Sequence, residues 1–87
     1  MRNEFNAALA SRIYTARKSA RMTQQQVADA IGVHQNIVQR FEAGKHRISA
    51  FDLVRLSEAM GASAPDILAS ALSSHPVQSE KEMGNDA

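Results

Sequence analysis

With 87 residues, 44% of them apolar and only 5% aromatic, the chain holds material for one domain around a small core of Leu, Ile, Val, Ala and Met. It contains no cysteine, which excludes a disulfide scaffold and a thiolate metal site, and no apolar run approaches the roughly 18 residues of a membrane span. The formal net charge of +1 conceals a segregation: between Arg12 and Arg47 seven basic side chains stand against two acidic ones, a local +5, while Glu80, Glu82 and Asp86 lie near the C-terminus.

The first predicted helix starts near Asn3 or Glu4 and runs to about Ala20. Phe5, Leu9, Ile13, Ala16 and Ala20 recur at three- and four-residue steps and make one apolar stripe. Arg17 follows Ile13 by four and so flanks that stripe, where a charge needs a partner. Thr23 is a favourable N-cap for a second helix, and Gln26 three residues later completes a capping box. Met22 precedes the cap and is placed to staple onto Val27. Val27, Ala28 and Ile31 supply the inner side, and Gly32 ends the helix.

A third helix spans about His34 or Gln35 to Ala43, with Gly44 as its stop. Val33, Ile37, Val38 and Phe41 are its inward set; Gln35, Asn36, Gln39 and Arg40 are outward. Amides are mediocre choices for a helix that needs only a solvated side, where Glu, Lys and Ala do better. The basic loop Lys45-His46-Arg47 follows. Ser49 with Asp52 caps a fourth helix, whose apolar side is expected from Phe51, Leu53, Leu56 and Met60 and whose end is Gly61. Ser63 with Asp66 caps a short fifth helix carrying Ile67, Leu68, Ala71 and Leu72. The domain is expected to span 1–73, and 74–87, with mixed charge and little apolar content, to be a flexible tail. The reading is all-α, with five helices.

One conjunction carries the functional reading. Counted from Gln24, Ala28 stands fifth, where two crossing helices admit only a small side chain, and Gly32 stands ninth, where the turn needs positive φ. Val27, Ile31, Val33, Val38 and Phe41 take the burying positions of the same helix-turn-helix unit. Asn and Gln pair bidentately with adenine, and Arg with guanine, in the DNA major groove.

The stretches ARKSARMTQQQVADAIGV, IVQRFEAGK and DLVRLSEAMGAS, within about Ala16 to Leu68, resemble the Cro/lambda-repressor-type (XRE-like) helix-turn-helix family. The resemblance implies a five-helix lambda-repressor-like domain that binds operator DNA, usually as a dimer and usually to repress transcription. The family's leading base-contact positions fall on His34, Gln35 and Asn36, and Gln39 and Arg40 face the same way one turn on; Gln35, Asn36 and Arg40 are the expected base readers, with His34 and Gln39 as further candidates. The resemblance implies phosphate contacts from Gln24, which also buttresses the first reader, and from Lys45 and Arg47; Arg21 is a weaker candidate beside Arg12 and Lys18. It also gives Arg17 a partner: Glu42, in a partly buried bidentate ion pair of structural rather than base-reading role. Single-domain members of this family, restriction–modification controller proteins among them, often dimerise through the fourth and fifth helices. Phe51, Val54, Ile67, Leu68, Ala71 and Leu72 are the candidates for that surface here, with Leu68 the one expected instead in the protomer core.

Other chemistry is poorly supplied. His34, His46 and His75 have no Cys or carboxylate at ligand spacing, so no metal site is expected, and no motif frames a nucleophile, so no enzyme is expected. No cofactor or small-molecule ligand is expected either. The N-terminal MRNEFNAALASR lacks a signal-peptide layout, which leads us to expect a cytoplasmic protein. The competing class is an antitoxin or other protein-interaction module whose DNA binding serves autoregulation; the segment from Ser73 to Ala87 is short and poor in apolar anchors for wrapping a toxin.

Overall fold

The computed structural model describes residues 4–74. Within them the chain forms α1 (Glu4–Ser19), α2 (Gln24–Ile31), α3 (Gln35–Glu42), α4 (Ala50–Met60) and α5 (Ala64–Ser74), with no strand among the described residues. The fold is therefore the all-helical, five-helix arrangement anticipated above. The expected tail lies, apart from Ser74, outside the described residues, as do Glu80, Glu82 and Asp86.

The helix boundaries follow from local chemistry. At Thr23 the side chain accepts from the Gln26 N–H while the Gln26 side chain accepts from the Thr23 N–H, a reciprocal box that satisfies two amides otherwise without partners at the start of α2. Ser49 and Asp52 repeat the arrangement at α4. Burial alone raises the Asp52 carboxyl, but hydrogen bonds from Ser49 and Arg55 outweigh it and hold the group below its usual value. Ser63 Oγ accepts from the Asp66 N–H at the head of α5.

Four C-termini close with the same pair of backbone bonds, one reaching back three residues and the next reaching back five. Three place glycine in the left-handed conformation, at Gly32, Gly44 and Gly61. The fourth, after α1, places Arg21 there, with φ of 59°. An L-residue with a β-carbon is disfavoured in that region by about 1–2 kcal/mol.

The core has one centre. α1 packs on α3, α4 and α5, while α2 packs on α3 and α4. Ile13, Ala28, Val38, Leu56 and Ala71 are fully enclosed, with Val27 and Phe41 almost so. Ala28 is fully buried on α2, which packs against both α3 and α4. The stripe on α1 is wider than its sequence pattern indicated, since Ala8, Ala10 and Asn6 are also buried.

Two expectations about α4 and α5 need correction. Phe51 is not on the inner side of α4 but 69% exposed, because it precedes Leu53 by two residues and so lies across the helix from the buried Leu53, Leu56 and Met60. Ile67 and Ala71, expected at a subunit interface, are enclosed in the protomer core, and Leu68, expected in that core, is exposed. Ile67 and Ala71 are four apart and share the side of α5 that meets α1 and α4. The apolar surface left on these two helices is Phe51, Val54, Leu68 and Leu72.

Candidate nucleic-acid interface

The outer side of α3 is polar throughout. Val38 and Phe41 hold the helix to the core, Ile37 packs partly against it, and Gln35, Asn36, Gln39 and Arg40 are left in solvent. Asn36, Gln39 and Arg40, with Ala43 and Lys45, line a shallow groove on this side. Among the described residues the side chains of Asn36, Gln39 and Arg40 make no hydrogen bond within the protein, so their donors and acceptors remain open to a ligand.

Gln35 is different, because it ends a chain of hydrogen bonds that begins on α1. Arg17 is 8% exposed. Its Nε and Nη2 donate to the two Glu42 carboxylate oxygens at 2.6 and 3.0 Å, and its Nη1 donates to the Met22 carbonyl at 2.8 Å. The Glu42 side chain is equally enclosed, at 6%. Hydrogen bonding to Glu42 raises the Arg17 guanidinium above its usual value against the opposing effect of burial, so the guanidinium keeps its charge. The ion pair thus ties the last turns of α1 and α3 to the turn before α2.

From Glu42 the chain continues outward. Gln24 Nε2 donates to Glu42 Oε1 at 3.0 Å, and Gln24 Oε1 accepts from Gln35 Nε2 at 3.2 Å. A carboxylate is an acceptor only, so the Gln24 amide has to present its nitrogen to Glu42 and its oxygen to Gln35. Gln35 must then give one N–H inward. It keeps its carbonyl oxygen and one N–H outward, the donor–acceptor pair that complements an adenine edge. Gln24 itself is half-buried and engaged on both sides, with one N–H left to offer.

His34, counted among the candidate readers, serves as N-cap of α3, with its Nδ1 accepting from the Asn36 N–H at 3.5 Å. Its ring is exposed beside Gln35.

Cations border the helix on two sides. Arg17, Lys18, Arg21, Thr23, Gln24 and Gln35 are among the residues lining one concavity at the start of α2. There the partial positive charge of the helix terminus adds to that of the side chains. Lys18 stacks over the exposed Tyr14 ring, 5.9 Å from its centroid. Beyond the C-terminal end of α3, Lys45 and Arg47 are exposed on the loop between α3 and α4. Arg12 lies away from this surface, its guanidinium reaching Ser70 on α5. No group of three or more potential metal ligands occurs among the described residues, and no described helix is long and apolar enough to cross a membrane.

Asn6 was not among the sequence candidates. It is 7% exposed; its Nδ2 donates to the His46 carbonyl at 3.1 Å and its Oδ1 accepts from the Ile48 N–H at 2.8 Å. No sequence signal marks it beyond an amide set next to an apolar stripe.

Comparison with known proteins agrees with this geometry. Two crystal structures of the clp gene regulator ClgR from Corynebacterium glutamicum superpose with TM-scores of 0.77 and 0.76, each at 26% identity. They cover 84% and 94% of this chain and 95% and 87% of theirs. The restriction-modification controller protein C.AhdI from Aeromonas hydrophila shares the fold, with a TM-score of 0.66 at 18% identity over 71% of this chain and 94% of its own. No match is found among curated protein sequences. The helix-turn-helix family model matches residues 13–67, a span that begins inside α1 and ends in the first turn of α5. With more than half its length in that match, and with α2 and α3 built as described, the chain belongs to the helix-turn-helix family of DNA-binding transcription regulators.

Proposed function

We propose that the protein is a sequence-specific repressor that binds a palindromic operator as a homodimer, with α3 in the major groove. The observation that carries this reading is the row of Gln35, Asn36, Gln39 and Arg40, exposed on a helix whose position is fixed by the buried Arg17–Glu42 pair. Gln35, Asn36 and Arg40 read base edges, with Gln39 in support. His34 caps the helix and lies close enough to contribute its remaining nitrogen. Lys45 and Arg47 on one side, and Arg21 with the remaining Gln24 N–H on the other, contact phosphates and set the register without reading sequence.

Dimerisation uses the exposed Phe51, Val54, Leu68 and Leu72, an apolar set spread over α4 and α5. Two symmetry-related α3 helices then read half-sites about one helical turn apart, some 34–36 Å. The similarity to a clp gene regulator supports a role in gene regulation. The protein acts in the cytoplasm, where DNA is accessible to it.

Selection from random DNA fragments, read by sequencing, tests this directly. The expected result is an enriched site with dyad symmetry, from which Gln35→Ala removes the preference at one base pair per half-site at a cost of roughly 1–3 kcal/mol. Recovery of fragments without any shared sequence, or an unchanged site for Gln35→Ala, refutes the reading.

A further inference from the structure

We infer that Asn6 is a positioning residue for DNA-backbone contact: it holds the loop between α3 and α4 in the shape that presents Lys45 and Arg47 to phosphodiester oxygens. This rests on the proposed function, since it requires that loop to meet DNA.

The loop alternates. Lys45 and Arg47 are exposed, while His46 is half-buried and Ile48 buried. Each inward residue has a fixed seat. The His46 ring stands edge-on to Phe41, with centroids 5.3 Å apart and planes at 86°, and Ile48 belongs to the hydrophobic core. Between these two seats the Asn6 amide bonds to the carbonyl of residue 46 and the N–H of residue 48. One side-chain amide thus grips the chain on either side of Arg47. The partner residues are 40 and 42 positions away in sequence.

A connection between two capped helices does not itself call for such a clamp. Its start is already turned by Gly44 and its end by the Ser49 box. The buried amide adds definition to the short segment carrying two exposed cations. Ordering that segment before DNA arrives removes an entropic cost from binding. The second amide–backbone bond matters as much as the first, because a loop held at one point could still rotate Arg47 away.

The test combines affinity, its salt dependence and hydrogen exchange on the full chain, with the selected operator as the probe. Asn6→Ala is expected to weaken operator binding about tenfold, because the released loop no longer holds its cations against phosphate. It should also shallow the slope of log K against log salt by about 0.9 for each phosphate that the variant fails to neutralise. Arg47→Ala should give a similar change in slope, and adding it to Asn6→Ala should change little further, because both act on the same phosphate. In the free wild-type protein the Ile48 amide should already be protected from exchange, with little gain on adding DNA. That measurement needs no variant and so tests the ordering of the loop even where Asn6→Ala fails to fold, while the Arg47→Ala slope tests the phosphate contact.

Three results would overturn the inference while leaving operator binding intact: an Asn6→Ala slope equal to wild type in folded protein, an Arg47→Ala slope equal to wild type, or an Ile48 amide protected only in the complex. Absence of any salt-dependent operator binding by the wild type would instead overturn the proposed function itself.

Discussion

Replacing Arg17 with methionine removes the charge and keeps most of the side-chain volume. It leaves the Glu42 carboxylate, 6% exposed, with Gln24 as its one remaining donor among the described residues, and takes a donor from the Met22 carbonyl. Stranding one member of a buried pair costs about 3–5 kcal/mol. A domain of 87 residues at roughly 0.05–0.15 kcal/mol per residue has a total stability of about 4–13 kcal/mol, so this one change removes a large share of it. Glu42→Leu should be similarly harmful. The double variant should lose less than the sum, because it removes both charges together; we expect about 2 kcal/mol, chiefly from the groups of Gln24 and Met22 left without partners. Urea denaturation of the four proteins measures this, with a constant m-value as the check that the transition stays two-state. A loss for Arg17→Met no greater than that for the exposed Lys18→Met, where about 0–1 kcal/mol is expected, would refute the claim that the pair anchors α3.

Arg21→Gly should raise stability by about 0.5–1 kcal/mol, because the left-handed conformation is relieved while the greater freedom of glycine in the unfolded chain offsets part of the gain. The same variant should bind DNA more weakly at low salt; a destabilised Arg21→Gly would show that φ at this position carries no strain. For Asp52, whose folded-state carboxyl is lowered, the stabilising contribution is complete above about pH 5 and is lost as the pH falls through that lowered value. Asp52→Asn should therefore lower the thermal midpoint at pH 7, by the equivalent of about 1 kcal/mol for a weakened cap, and match wild type near pH 2; an equal difference at both pH values would contradict the linkage. Phe51→Asp, at a site 69% exposed, should convert a dimer to a monomer in sedimentation while leaving the protomer's helix content unchanged. Identical sedimentation of variant and wild type would remove Phe51 from the interface.

Much of the architecture was legible because its determinants are local. Thr23 with Gln26 and Ser49 with Asp52 are read within three residues, and the chain begins a helix at each of these caps where the pattern places it. Gly32, Gly44 and Gly61 mark three helix ends by the one conformation that glycine adopts cheaply. Arg21 takes the same conformation with no such mark, so its geometry could not be read. On α5 the adjacent apolar pairs Ile67-Leu68 and Ala71-Leu72 offer two nearly equivalent sides to bury, and only the position of α1 decides for Ile67 and Ala71. Phe51 misled for a related reason: hydrophobicity says that a residue can be buried, but two-residue spacing from Leu53 says that both cannot be. At the candidate interface, the outward row of α3 followed from periodicity. The engagement of Gln24 with Glu42 and the grip of Asn6 on residues 46 and 48 depend on partners 18 to 42 positions distant, which no local pattern encodes.

The hydrogen-bond chain from Arg17 through Glu42 and Gln24 to Gln35 has a consequence for how such a protein can change over evolutionary time. Gln35 cannot be exchanged for a carboxylate or an aliphatic side chain without leaving the Gln24 oxygen unsatisfied or repelled, and Gln24 cannot be exchanged without loosening Glu42. Asn36, Gln39 and Arg40 carry no such obligation among the described residues. Duplicated copies of this gene should therefore diverge in operator preference first through those three positions, one base pair at a time. Under the proposed function, the base pair assigned to Gln35 should stay common to the descendants until Gln24 and Gln35 change together.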